Sequence, residues 1–181
     1  RAQESLQTAL KAQGIPALAG IDTRRLTAKL REQGTQKAYL AVEGRMGEAE
    51  AVRKAGDWCG LDGQDYAQRV SCSRRYTWDS DGHRTCSWGV VDHLPKADLS
   101  VVAFDFGIKW NILRSLRRNG LEVTVVPATT SATEVLALKP DGVLFSNGPA
   151  DPAAVTYAVT AARELLGKVP IMGICLGHQI L

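Results

Sequence analysis

From Leu99 onward, short apolar runs alternate with amphipathic stretches, each closed by glycine or proline. Residues 101–104 read as a buried strand that ends in Asp105-Phe-Gly107. Residues 109–118 read as a helix, with Ile112, Leu113 and Leu116 on one face and Gly120 closing it. Residues 121–126 are rich in β-branched side chains and stop at Pro127, which predicts a second strand. Ser131 followed three positions later by Glu134 has capping-box spacing and predicts a helix over 131–138. A strand at 142–145, a Gly/Pro loop, a helix over 152–166 with proline in its first turn and a strand at 169–174 complete the series. Strands and helices in this alternation predict an α/β fold with a doubly wound, mostly parallel sheet. Ligands of such sheets bind beyond the carboxyl ends of the strands. Asp105-Phe-Gly107, Ser146-Asn-Gly148-Pro and Cys175 all fall at such ends.

Upstream the pattern is less regular. Residues 2–13 predict a helix ended by Gly14, and residues 16–21 a short extended run. Asp22 or Thr23 can cap a second helix, with Leu26 and Leu30 facing inward and Gly34 closing it. Residues 37–42 read as a strand and 47–55 as a third helix. Residues 56–90 show no sustained periodicity and read as loops, with short strands around 75–77 and 88–91. The change of character near Pro95 predicts a first domain over 1–93, a linker at 94–98 and a second domain over 99–181.

Composition narrows the function classes. At 45% hydrophobic and 23% charged residues, the chain has an ordinary globular composition. No 18-residue apolar run predicts a membrane span, and no basic-plus-apolar leader predicts a signal peptide. The net charge is +3, and the arginine doublets at 24–25, 74–75 and 117–118 are scattered, so no nucleic-acid footprint is expected. Cys59, Cys72, Cys86 and Cys175 contain no Cys-x-x-Cys pair, and His83 near Cys86 lacks a second close pair for zinc. Free thiols in a reducing cytoplasm are the expectation. No Walker A sequence is present. Asp105-Phe-Gly107 lacks the preceding His-Arg-Asp and glycine-rich loops that a kinase needs.

The sharpest chemical feature is Gly173-Ile-Cys175-Leu-Gly177, which comes after an apolar run and precedes a helix. It is the cysteine counterpart of the Gly-x-Ser-x-Gly nucleophile elbow. Small residues two before and two after the nucleophile let strand and helix approach, so the central side chain projects at a sharp turn. A thiol attacking a carboxamide needs two N–H donors for the developing oxyanion. Leu176, directly after the nucleophile, supplies one in the elbow architecture. The Ser146–Pro152 loop is placed to supply the other, and Gly148 permits close backbone approach. His178, three residues after the thiol, runs along the helix and is not expected to act as base. A buried structural cysteine is the bland alternative.

Gly173-Ile-Cys-Leu-Gly-His-Gln179 resembles the nucleophile motif of class I glutamine amidotransferases. The stretches 105–114, 126–131 and 146–152 look like one branch, the small, glutamine-hydrolysing subunit of carbamoyl-phosphate synthase. Ile21-Asp-Thr-Arg-Arg-Leu-Thr-Ala-Lys-Leu-Arg-Glu-Gln-Gly34 is similar to the N-terminal domain found only in that subunit. The resemblance implies that Cys175 forms a γ-glutamyl thioester and releases ammonia. It implies that Leu176 and Gly148 donate to the oxyanion, and that Gly148, Ala150, Leu176 and Gln179 contact glutamine. Ala150 stands where the family usually has glycine.

The implied partner is a large subunit that uses bicarbonate and ATP, with magnesium, to make carbamoyl phosphate for arginine and pyrimidine synthesis. No cofactor or metal is implied in this chain itself. The resemblance places the catalytic His and Glu beyond Leu181 and a glutamine-contacting serine before Arg1, so it reads the chain as an internal stretch of a cytoplasmic subunit. Residues 1–93 would then end the N-terminal domain, and 99–181 would be the first half of the amidotransferase domain. Two alternatives stay open: the glutaminase part of another synthase, such as those for anthranilate or GMP, and a non-catalytic scaffold that retains the fold.

Overall fold

A computed structural model describes residues 4–42, 44–87 and 92–181. The chain divides into two compact units, Arg1–Gly60 and Leu61–Leu181. The division falls well before the 94–98 segment predicted as linker. The physical reason lies in residues 61–87, which pack onto the second unit's sheet.

Among the described residues, the first unit holds three helices: α1 (Leu6–Ala12), α2 (Thr23–Gln33) and α3 (Glu48–Asp57). Side-chain caps fix two of the starts. Ser5 Oγ accepts from the Thr8 N–H at 3.1 Å, and Asp22 Oδ1 from the Arg25 N–H at 2.9 Å. Gly34, at φ 75°, ends α2 in the left-handed region that glycine tolerates. The strand expected at 37–42 does not form. An extended segment becomes a strand only beside a ladder partner, and the described residues of this unit contain none. Leu26 and Leu30, expected to face inward, are exposed at 44% and 39%, and no described residue of this unit is buried.

The second unit is built on a five-stranded sheet in the order β1-β3-β2-β4-β5. Its strands are β1 (Tyr76–Thr77), β2 (Leu99–Asp105), β3 (Leu121–Pro127), β4 (Gly142–Phe145) and β5 (Ile171–Gly173). β1 lies antiparallel on β3, and among the described residues every other pairing is parallel. Between the strands lie α6 (Trp110–Arg118), α7 (Ala132–Ala137) and α8 (Thr156–Leu165), and α9 (Leu176–Ile180) comes after β5. The predicted capping box is present, with Ser131 Oγ accepting from the Glu134 N–H and the Glu134 carboxylate accepting from the Ser131 N–H.

Alternation along the strands divides the core between two faces. Val102, Phe104, Val143 and Phe145 point to one face, against Val135 of α7, Ala158, Ala162 and Leu165 of α8, and Leu176 of α9. Ala103, Val123, Val125 and Leu144 point to the other, against Leu113 of α6 and Trp78. Helical cover on both faces is the doubly wound architecture expected.

Other details depart from the sequence reading. Two short helices, α4 (Tyr66–Val70) and α5 (His83–Cys86), occupy the segment read as loop. Asp65 Oδ1 caps α4 through the Gln68 N–H, and the Asp79 carboxylate accepts from the Arg84 and Thr85 N–H groups of α5. The helix expected over 152–166 is a 3-10 turn at Pro152–Ala154 and then α8, broken at the fully buried Val155. The strand expected at 88–91 lies outside the described residues. Trp78 is buried against the α6 face and Arg117 Nη1 donates to Pro95 O at 3.0 Å, so 94–98 is tied into the second unit.

Candidate active site

β2 lies centrally, and successive crossovers place β3 on one side and β4 on the other. In doubly wound sheets such a reversal marks where ligands bind, which here is the carboxyl ends of β2 and β4. The loops after those strands and the turn after β5 meet there.

The β5–α9 turn has the geometry of an elbow. Cys175 is exposed at φ 54°, ψ −112°, a conformation that L side chains rarely adopt. Both flanking glycines are required by space. A Cβ on Gly173 would lie 2.6 Å from His178 N, and one on Gly177 would run into Phe145 O and lie 2.8 Å from Phe145 Cβ. The turn is bonded to the end of β4: the Ile174 N–H donates to Phe145 O and the Gly177 N–H to Ser146 O, each at 3.0 Å. Leu176 begins α9, where a helical N–H has no partner within its own helix. Its side chain is buried in the core.

The loop after β4 is locked to the loop after β2. The buried Ser146 Oγ accepts from the Phe106 N–H at 3.0 Å and donates to Asn147 O at 2.9 Å. Asn147 reaches the same loop through both ends of its carboxamide, accepting from the Lys109 N–H at 3.1 Å and donating to Gly107 O at 3.0 Å. Gly148 packs so tightly that a Cβ there would run into Phe106 O and lie 2.7 Å from Phe106 Cβ. Asp105 in turn holds the β2 loop. Its carboxylate accepts from the Gly107 and Ile108 N–H groups and from the Cys72 N–H, all at 2.9 Å.

Residues 61–72 complete this frame, which sequence reasoning missed. Asp151 accepts from the Gly63 N–H at 3.0 Å, Tyr157 donates to Asp65 at 3.2 Å, and Ser71 Oγ accepts from the Ala128 N–H at 2.8 Å. The Gly63 and Ala153 N–H groups hold the Asp151 carboxyl below its usual range. Burial, with the hydrogen bond to Asp65, pushes the Tyr157 hydroxyl up. The one visible sequence signal was Asp105 two residues before Gly107, the spacing of an Asx turn.

Of the predicted site residues, Cys175 and Gln179 are exposed, with Gln179 on α9, and Leu176 lies between them in sequence. Gly148 lies two residues beyond Ser146, whose carbonyl is bonded to the elbow. The Ala150 methyl packs against the core, and its backbone stays outside the positive-φ region, so an alanine fits without strain. Among the described residues, no histidine side chain is hydrogen-bonded to Cys175, and His178 is exposed on α9.

All four cysteines are free thiols. Cys72 differs from Cys175 in being half-buried, and burial with the neighbouring Asp105 carboxylate pushes its thiol up to about 11. Among the described residues, no group of three or more metal-ligating side chains occurs and no helix is long and apolar enough to cross a membrane.

Comparison with known proteins finds relatives along the whole chain. Residues 102–181 match the family model Glutamine amidotransferase class-I, and residues 1–40 match Carbamoyl-phosphate synthase small chain, CPSase domain. Across its whole length the chain is similar to proteins named carbamoyl phosphate synthase small chain. It is 49% identical to that of Pseudomonas putida over 186 residues and 48% identical to that of Vibrio cholerae over 188, covering 48% of each. It is 46% identical over 182 residues to that of Pasteurella multocida, covering 46% of it. The chain thus spans about half the length of the curated relatives it matches. With two family models matched in chain order and relatives of one name along its whole length, the chain belongs to the carbamoyl phosphate synthase small chain family.

Proposed function

We propose that this chain contributes the nucleophile of a glutaminase that supplies ammonia for carbamoyl phosphate synthesis. The observation that carries the reading is the exposed Cys175 at φ 54° in a Gly-x-Cys-x-Gly turn, within residues matching a class-I amidotransferase. A strained, projecting thiol is what acyl transfer needs and what a structural cysteine does not. The sulfur attacks the side-chain carboxamide carbon of glutamine, and the C–N bond breaks to release ammonia. Water then cleaves the thioester, giving glutamate and the free thiol.

The N–H groups of Gly148 and Leu176 stabilise the tetrahedral oxyanion. Gln179 and the backbone at Ala150 orient the amino-acid end of the substrate. The base and its orienting carboxylate are expected in the part of the longer protein beyond Leu181. Ammonia passes to a large subunit that carries ATP and magnesium, within the cytoplasm, and the product serves arginine and pyrimidine synthesis. The first unit, matched over residues 1–40, contributes to the small chain's N-terminal domain, and residues 102–181 to the first half of its amidotransferase domain.

The test is Cys175→Ser in the full-length protein with its partner. Glutamine-dependent synthesis should be lost while synthesis from added ammonia persists, because the partner's chemistry does not use the thiol. Equal loss with both nitrogen donors would overturn the assignment and make Cys175 a folding or docking residue.

A further inference from the structure

Three loops must keep register for the proposed chemistry: the elbow with the thiol, the β4 loop with Gly148, and the β2 loop beneath it. One residue bonds to all three. The Ser146 carbonyl accepts from the Gly177 N–H of the elbow, and its hydroxyl accepts from the Phe106 N–H while donating to Asn147 O. The hydroxyl is fully buried, so its partners have no water to fall back on. Asn147 adds a two-ended clasp to Lys109 N and Gly107 O, immediately before Gly148. A Cβ at Gly148 would meet Phe106, so the peptide lies close against the same β2 loop that this clasp holds.

We propose that Ser146 and Asn147 are positioning residues that hold the Gly148 N–H in register with the Cys175 elbow. The inference rests on the glutaminase reading above. Neither side chain has to touch substrate. Each acts through the direction of the Gly148 N–H, which matters most when charge develops on the carbonyl oxygen. Losing an oxyanion donor outright costs about 10²–10³-fold in kcat, and a misplacement of about 1 Å can cost ~10²-fold. Loosening the clasp should therefore cost ~10- to ~10²-fold in kcat with little change in KM.

The experiment uses Asn147→Ala and Ser146→Ala in the full-length protein with its partner. Asn147 is only half-buried, so its variant keeps the test open if the buried Ser146→Ala fails to fold. Four quantities are read: glutaminase kcat, its KM, the rate of Cys175 alkylation by iodoacetamide, and inhibition by the γ-aldehyde analogue of glutamine. That aldehyde accepts the thiol and forms a tetrahedral adduct bearing the same oxygen. The expected result is a fall in kcat matched by an equal fall in aldehyde affinity, with KM and alkylation within about twofold of the unaltered protein.

A merely structural role would instead slow alkylation or raise KM, and would overturn the proposal. So would kcat and aldehyde affinity that stay within twofold in Asn147→Ala. If the unaltered complex fails to hydrolyse glutamine, the glutaminase reading falls and this inference with it. If hydrolysis is intact but insensitive to both variants, only the clasp is wrong.

Discussion

Gly148→Ala tests the tightest part of the site. The added methyl would run into Phe106 O and approach Phe106 Cβ to 2.7 Å, where ordinary contact begins near 3.4 Å. Something must move by about 0.7 Å or more, judged against that ordinary contact distance. Phe106 cannot yield: its side chain is fully buried, it lies within 6.0 Å of both Phe104 and Phe145 by ring centroid, and its N–H is tied to Ser146. The β4 loop therefore moves, carrying the Gly148 N–H away from the elbow. Overpacking of this kind costs about 1–3 kcal/mol of stability. Displacement near 1 Å should lower kcat by roughly 10²-fold. The assay is glutamine hydrolysis by the full-length protein with its partner, beside ammonia-dependent synthesis and a denaturant titration. Ammonia-dependent synthesis should be unchanged. A kcat within twofold of the unaltered protein, in a variant destabilised as expected, would refute the idea that this peptide serves the transition state.

Cys175→Gly should remove activity yet stabilise the fold by roughly 0.5–2 kcal/mol, since strain of about 1–3 kcal/mol is relieved against glycine's extra chain entropy. Denaturant midpoints decide it, and a destabilised variant would show that φ 54° carries no strain here. Cys72, shifted from the ordinary 9.0 to about 11, should alkylate near pH 8 about 100-fold more slowly in the folded protein than after unfolding. Because its folded value is raised, the unfolded chain ionises first, so this thiol's contribution to stability is complete below pH 9 and declines as pH rises toward 11. Peptide mapping and alkaline unfolding check the two statements, and equal folded and unfolded rates would contradict them. Glu134, Asp141 and Asp151 sit below their ordinary values through hydrogen bonds from Ser131, Ser100 and Gly63. Their contribution is present above about pH 4 and should fade as pH falls through their lowered values, seen as a falling denaturant midpoint; an unchanged midpoint down to about pH 2.5 would argue against those bonds.

The alternation after Leu99 was legible from sequence because its causes are local. Apolar runs, the Ser131–Glu134 box, the caps at Asp22 and Gly34 and the Gly-x-Cys-x-Gly turn each depend on neighbours a few residues away. The same locality made the two-sided α/β sheet and the sharp turn at Cys175 readable. The domain boundary and the frame of the site depend instead on contacts across long sequence distances, which no local pattern encodes. Residues 61–87 have weak periodicity, yet a two-residue strand, Trp78 and the Asp65 and Ser71 side chains bind them to the sheet, to α8 and to the loop after β3. The boundary expected at 94–98 moved for that reason. Residues 37–42 carried strand-like composition but no partner among the described residues of their unit, so propensity alone did not make a strand. Ser146 and Asn147 looked like ordinary turn residues. Only the reversal of crossovers around β2, which brings the β2 and β4 loops together beside the elbow, makes them the clasp of the site.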